Sequence, residues 1–260
     1  MSHQLPDDIQ RSPVLVRLQQ VAAQYGSGAP IFTGIDLTVR RGEFVGIAGP
    51  NGGGKSTLLR TILERMPRQR GTVSIAPGTS IGWLRQRSQL GVEGPVTVRE
   101  LVRSGAVRGG AWFGAGARRA RRRAAEAISQ VGLEGQERAL VRTLSGGQQQ
   151  RAFFAAVLAS DPELLLLDEP TTGIDAESQQ RLAEILRAMH AERAATILYV
   201  SHEFGVVEND LDRVVVVDRG IEFDDVPAAM THDVRERVHW GHACAPASTS
   251  VEEQSQEQLL

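Results

Sequence analysis

Residues 49–59 read GPNGGGKSTLL. The fold turns on what so flexible a stretch is for. It follows an apolar run, Phe44–Ala48, and precedes a helical pattern over 55–66. Gly49 to Ser56 fit the spacing G-x-x-x-x-G-K-[ST]. Glycine permits positive φ and lets backbone amides approach a ligand with no Cβ in the way. Successive N–H groups at a helix start then form an anion nest, to which the helix dipole adds partial positive charge. Gly49, Pro50, Asn51, Gly52, Gly53 and Gly54 form the turn. Lys55 is expected to reach the β- and γ-phosphates, Ser56 to place its hydroxyl on Mg²⁺, and Thr57 to add a phosphate donor. A glycine-rich turn without a ligand is the bland alternative. The strand before and the helix after are the context the phosphate-loop reading requires.

Outward from the loop, LLLLDEP spans Leu164 to Pro170. Four leucines read as a strand buried on both faces. Its carboxylates fall at the carboxyl edge of an open α/β sheet, where ligands bind. Asp168 is predicted to hold Mg²⁺, and Glu169 to polarise a water for attack on the γ-phosphate. Two surface acids at a strand end would look the same if the phosphate loop were absent.

LSGGQQQR spans Leu144 to Arg151. Ser145 can cap the helix that follows, and Gly146 and Gly147 expose their amides. The segment reads as a second anion site, about 90 residues beyond Lys55, with a plain helix cap as the bland alternative. One nucleotide does not need two cradles.

These three segments together resemble the nucleotide-binding subunit of ABC transporters, over about residues 14–225. An LSGGQ segment some 20 residues before such an acidic strand marks that family. The resemblance implies an α/β P-loop NTPase fold of ABC type: a mostly parallel sheet, an N-terminal antiparallel β part and an inserted helical subdomain. It implies ATP as ligand, with Mg²⁺, and ATP hydrolysis. It also resolves the two cradles. Family members dimerise head to tail, so each nucleotide lies between the phosphate loop of one subunit and Ser145, Gly146, Gly147 and Gln148 of the other. Tyr25 matches the aromatic that stacks on adenine. Gln86 matches the glutamine that senses Mg²⁺ and the γ-phosphate, although the proline that often precedes it is Arg85 here, which reads as a less stiff loop. Asp175 matches an aspartate at the dimer interface, and His202 the histidine on the γ-phosphate.

The rest of the chain agrees with an α/β class. Residues 14–25 and 35–47 alternate and are rich in β-branched types, broken at 26–28 and at Arg41-Gly42. Short strands are expected near 71–75 and 79–84. The stretch 87–143, rich in Arg, Ala and Gly, reads as the inserted helical part. Thereafter helix (147–160), strand (163–168), helix (176–192), strand (195–200), short helix (203–209) and strand (213–218) alternate, which argues a parallel sheet with crossovers. Residues 1–13 read as a loose leader and 226–260 as a small helix and a disordered tail.

Composition sets limits. The formal net charge of −2 implies no general affinity for nucleic acid. A single cysteine, Cys244, leaves no internal disulfide framework. The polar N-terminus with Asp7 and Asp8 does not read as a signal peptide. No apolar run approaches the roughly 20 residues that span a bilayer. The expected location is the cytoplasmic face of the membrane, beside an integral-membrane permease and, indirectly, a substrate-binding protein.

Finer resemblance points to the ATPases of zinc, manganese and iron importers, carried by GPNGGGKSTLL, PVTVRELV (95–102), LLLLDEPTTGID with SQQRL, TILYVSHEFGVV, and VVVVDRGIEFDDVPAAM. ATPases of iron-chelate and cobalamin importers share much of this. A permease-free ATPase of the iron–sulfur assembly type is a further alternative. His232, His239, His242 and Cys244 invite a metal reading, but their spacing matches no standard site. Arg118–Arg123, with five arginines, reads as a solvated helix face or as a contact for an anionic partner.

Overall fold

The computed structural model describes residues 7–65, 68–86, 94–107 and 114–238. Two sheets organise it. A three-stranded antiparallel sheet has the order β2-β1-β4, with β1 (Val14–Ala23), β2 (Phe32–Arg40) and β4 (Arg68–Ile75). A six-stranded sheet has the order β5-β6-β7-β3-β8-β9. Its strands are β3 (Phe44–Ala48), β5 (Ile81–Leu84), β6 (Leu164–Asp168), β7 (Thr196–Val200), β8 (Arg213–Val217) and β9 (Ile221–Asp225). The first five run parallel, and β9 closes the edge antiparallel. The expected mostly parallel sheet and antiparallel N-terminal part are both present.

The central strands are apolar on both faces because both faces are covered. Leu165 and Leu167 of β6, Ile197 and Tyr199 of β7, and Val214 and Val216 of β8 join one buried cluster. Their alternating neighbours Leu164, Leu166, Leu198, Val200, Val215 and Val217 join the other. The second cluster also takes Leu58, Leu59 and Ile62 of α2 (Lys55–Ile62) and the inward residues of β1 and β2. Thus α2 lies between the parallel sheet and the antiparallel one. The opposite face carries α5 (Gly146–Ala159) and α6 (Ala176–Arg193).

Two helices fall within the Arg- and Ala-rich stretch, α3 (Val98–Ala106) and α4 (Gly114–Gln130), both packed on α5. Thr97 caps α3 in a reciprocal pair with Glu100, whose carboxylate accepts from the Thr97 N–H at 2.8 Å. At the start of the chain, within the stretch read as a loose leader, Asp7–Arg11 form the short helix α1 with Ile9 buried. The short helix expected at 203–209 is a 3-10 turn, Gly205–Asp210. After β9, a 3-10 turn at Pro227–Ala229 leads into α7 (His232–Arg237).

Candidate nucleotide site

Parallel pairing puts the predicted residues on one edge. β5, β6, β7 and β3 are consecutive neighbours, and their carboxyl ends lead to Gln86, Asp168-Glu169, His202 and the Gly49 loop. A separation of well over a hundred residues in sequence collapses into adjacent strand ends.

The glycines of the loop are needed first for packing. At Gly49 (φ +136°) a Cβ would stand 2.1 Å from the carbonyl oxygen of Val217, and at Gly53 2.6 Å from the same oxygen. The loop therefore lies directly on the end of β8. Gly52 faces open space, so amides on that side are accessible.

Lys55 opens α2 and is 6 % exposed. Its Nζ donates to the carbonyls of Gly49 at 2.7 Å and Pro50 at 2.9 Å. Burial lowers its pKa, against the opposing pull of Glu169 and Asp168. The ammonium is thus held under the loop with carboxylates nearby. A phosphate group would supply the compensating charge that two carbonyl dipoles give only in part.

Ser56 Oγ donates to Asp168 Oδ1 at 2.8 Å. Asp168 is fully buried, and burial raises its pKa despite the Ser56 bond. Its second oxygen, Oδ2, has no hydrogen-bond partner. An orphaned buried carboxylate oxygen beside a serine hydroxyl is a set of hard oxygen donors, which is what Mg²⁺ takes. The residues fit the ion.

Glu169 follows with φ +48°, a left-handed backbone that costs a non-glycine residue about 1 kcal/mol or more and tends to persist at functional sites. Its N–H bonds the Val200 carbonyl at 2.9 Å, which ties it to β7. Its Oε2 accepts from Gln86 Nε2 at 2.8 Å and from Thr172 Oγ1 at 3.3 Å. Gln86 thereby spends its amide N–H on Glu169, leaving its oxygen for a metal. Arg85, where a proline was the family expectation, stacks its guanidinium 5.5 Å from the centre of the Trp83 ring.

His202 stands just past β7, exposed, in a polar cleft of about 230 Å³ shared with Thr171, Thr172, Gly173 and Gln179. Beneath it Tyr199 is buried, its phenol pushed up to about 12 by burial, and its hydroxyl lies 3.3 Å from Thr171 Oγ1. Tyr25 is 47 % exposed, the one large apolar side chain so exposed among the described residues. Its hydroxyl accepts from Arg60 of α2 at 2.7 Å, which tethers the ring to the helix that opens at the phosphate loop.

The second cradle is built but stands apart. Ser145 caps α5, its hydroxyl accepting from the Gln148 N–H at 3.3 Å while Gln148 Oε1 accepts from the Ser145 N–H at 3.0 Å. Among the described residues no hydrogen bond or ion pair joins it to the phosphate loop. Asp175 caps α6 through Ser178, whose hydrogen bonds lower its pKa. Its carboxylate lies against Gly147, 3.3 Å from where a Cβ would be.

Four contributors escaped the sequence reading: Arg60, Thr172, Thr171 and Gln150. Gln150 is 3 % exposed, and its amide donates to the carbonyl of Pro170, directly after Glu169. One signal was available. Gln150 lies four residues before Phe154, on the buried face of α5. As for the histidine-rich end, His232 is exposed on α7, near Glu236 at 3.7 Å. His239, His242 and Cys244 lie outside the described residues.

A strand edge carrying a phosphate loop, a buried magnesium-type carboxylate and a neighbouring glutamate defines a P-loop nucleotide site. The sequence profile of the ABC transporter family matches residues 32–172. The chain is 35 % identical over 217 residues to the zinc import ATP-binding protein ZnuC of Paracoccus denitrificans, covering 84 % of this chain and 81 % of that one. It is 35 % identical over 213 residues to the high-affinity zinc uptake system ATP-binding protein ZnuC of Bacillus subtilis, covering 79 % and 92 %. Among solved structures, the dimeric post-hydrolysis state of the ATP-binding cassette MJ0796, bound to ADP and Pi, superposes with a TM-score of 0.72 at 27 % identity, covering 82 % and 98 %. The chain belongs to the ABC transporter family, and it is an ATP-binding, ABC-type ATPase.

Proposed function

We propose that this ATPase powers a membrane importer of a transition-metal ion, with zinc the best-supported cargo. What carries the reading is identity of about a third, sustained over four-fifths of the chain or more, to relatives named as zinc import ATP-binding proteins. Iron-chelate or cobalamin import and a permease-free role remain the alternatives. The cargo itself would pass through a separate permease, so the metal is not a ligand of this chain. Among the described residues no helix is long and apolar enough to cross a membrane.

The geometry of the strand edge supports the following roles. Lys55 leaves the Gly49 and Pro50 carbonyls for the β- and γ-phosphates, while Thr57 and the loop amides hold the remaining oxygens. Ser56, Asp168 and the Gln86 oxygen would hold Mg²⁺, which neutralises developing phosphate charge. Glu169, positioned by Gln86 and Thr172, orients and polarises the attacking water. His202 faces the γ-phosphate and Tyr25 stacks on adenine. Ser145, Gly146, Gly147 and Gln148 serve the nucleotide of a second subunit in a head-to-tail homodimer, with Asp175 near the interface.

A strain lacking this chain, grown in metal-depleted medium with zinc, manganese or iron restored singly, tests the cargo. The expected outcome is loss of cellular zinc, rescued only by excess zinc. An unchanged content of all three metals would overturn metal import.

A further inference from the structure

The outer face of α4 is an unusual surface. Arg118, Arg119, Arg121 and Arg122 are all exposed. Arg122 lies 3.4 Å from Glu126, and Arg123, half-buried, pairs with Asp161 at 2.7 Å. Arg118, Arg119 and Arg121 have no carboxylate within ion-pair distance among the described residues. The inward face holds Ala117, Ala120, Ala124, Ala127 and Ile128, all buried. At about 100° per residue, the four exposed arginines cover an arc of roughly 160°, opposite the alanines.

We propose that this face binds the phosphate groups of anionic phospholipids on the membrane surface. The shape supports a planar partner: the arginines lie on the convex side of a helix seated by small side chains, spread too widely to converge on one carboxylate. Guanidinium groups pair well with phosphate oxygens and carry less hydration than ammonium. A single-stranded nucleic acid would need stacking rings between the charges. Between Arg118 and Arg123 the only other residue is Ala120, so no ring is interleaved with these charges. The chain's net charge of −2 means that such binding requires a local patch. The membrane setting rests on the importer reading given above.

The test is cosedimentation of the full-length protein with mixed phosphatidylcholine–phosphatidylglycerol vesicles and with phosphatidylcholine alone. The protein should sediment with the anionic vesicles only, and release at high salt. Arg118→Gln/Arg119→Gln/Arg121→Gln should weaken binding roughly tenfold or more while leaving soluble ATPase turnover unchanged. Arg11→Gln/Arg17→Gln/Arg70→Gln, which removes the same charge from exposed positions elsewhere, should bind as the parent does. Equal sedimentation with both vesicle types would overturn the proposal, as would parental binding by the α4 variant. Capture of a single-stranded oligonucleotide in preference to anionic vesicles would also overturn it. So would an α4 variant that loses only its hold on a lipid-free permease, because the face would then meet an acidic protein. The metal-uptake experiment reads a separate quantity. A strain with normal metals and a protein with intact vesicle binding would sink the importer reading alone.

Discussion

Asp168 is a buried carboxylate that its neighbours compensate only in part. It is fully buried, Ser56 satisfies one oxygen, and the other has no partner. Burial raises its pKa above that of a free carboxyl, so the unfolded chain ionises first as pH rises. The burial cost is therefore absent in acid and grows toward neutral pH. Asp168→Asn should raise the melting temperature of the nucleotide-free protein at pH 7 by about 2–4 °C, the shift that about 1 kcal/mol gives in a chain of this size. The gain should vanish in acid, where the parent carboxyl is protonated, and magnesium-dependent turnover should be lost. Calorimetry of both proteins across pH checks this, and a variant less stable at pH 7 would show that Asp168 serves the free fold instead. Asp168 was legible because it lies beside four leucines in one short word of sequence. Thr172 and Arg60 were not. Their partners, Glu169 and Tyr25, meet them only through a loop turn and a contact between residues 35 apart in sequence.

At the scale of elements, the strands were readable because both of their faces are buried, which writes unbroken apolar runs into the sequence. Element ends were less so. α2 stops at Ile62, not 66, and Glu64 just beyond takes φ +54°. Helix crossings leave a fainter trace still. At Gly105 of α3 a Cβ would stand 1.9 Å from the backbone oxygen of Ala156 in α5. This is the tightest approach in the helical part, and one glycine among several in an Arg-rich stretch does not announce it. Gly105→Ala must push α3 off the helix that opens with Ser145. The expected cost is about 1–3 kcal/mol, the usual range for overpacking, measured by denaturant unfolding. Parental stability would mean that the two helices can part without loss, and that α3 is not fixed to α5 at this point.

Across the whole molecule, Arg213 links the two sheets. Arg213 of β8 reaches Glu43 at 3.0 Å and donates to the Thr38 carbonyl of β2 at 2.7 Å. Burial raises the Glu43 pKa, and Arg213 is the main opposing influence. Arg213→Met removes the main opposing charge, leaving that carboxylate the Arg40 N–H at 2.8 Å, and should cost about 3–5 kcal/mol at neutral pH. The loss should shrink in mild acid, where Glu43 takes up a proton, and in the double variant Glu43→Gln/Arg213→Met. A loss equal at pH 5 and pH 8 would assign it to packing alone. A larger tie belongs to the proposed dimer. Among the described residues no hydrogen bond or ion pair joins the phosphate loop to the Ser145 cradle within one copy, and in the proposed head-to-tail homodimer the nucleotide would bridge two copies. Glu169→Gln isolates that state. Glutamine keeps the shape of the side chain, while the carboxylate that accepts from Gln86 and Thr172, and that is proposed to polarise the water, is gone. Turnover should fall by about 10²- to 10⁴-fold, the range expected when a general base is lost. Nucleotide binding should persist, because Lys55, Ser56 and Asp168 are untouched. With MgATP the variant should elute at twice the chain mass, and with MgADP as a monomer, since the bridge between cradles needs the γ-phosphate. A variant that stays monomeric with bound MgATP would overturn the shared site. One that dimerises but hydrolyses at the parental rate would remove Glu169 from the reaction while leaving the dimer standing.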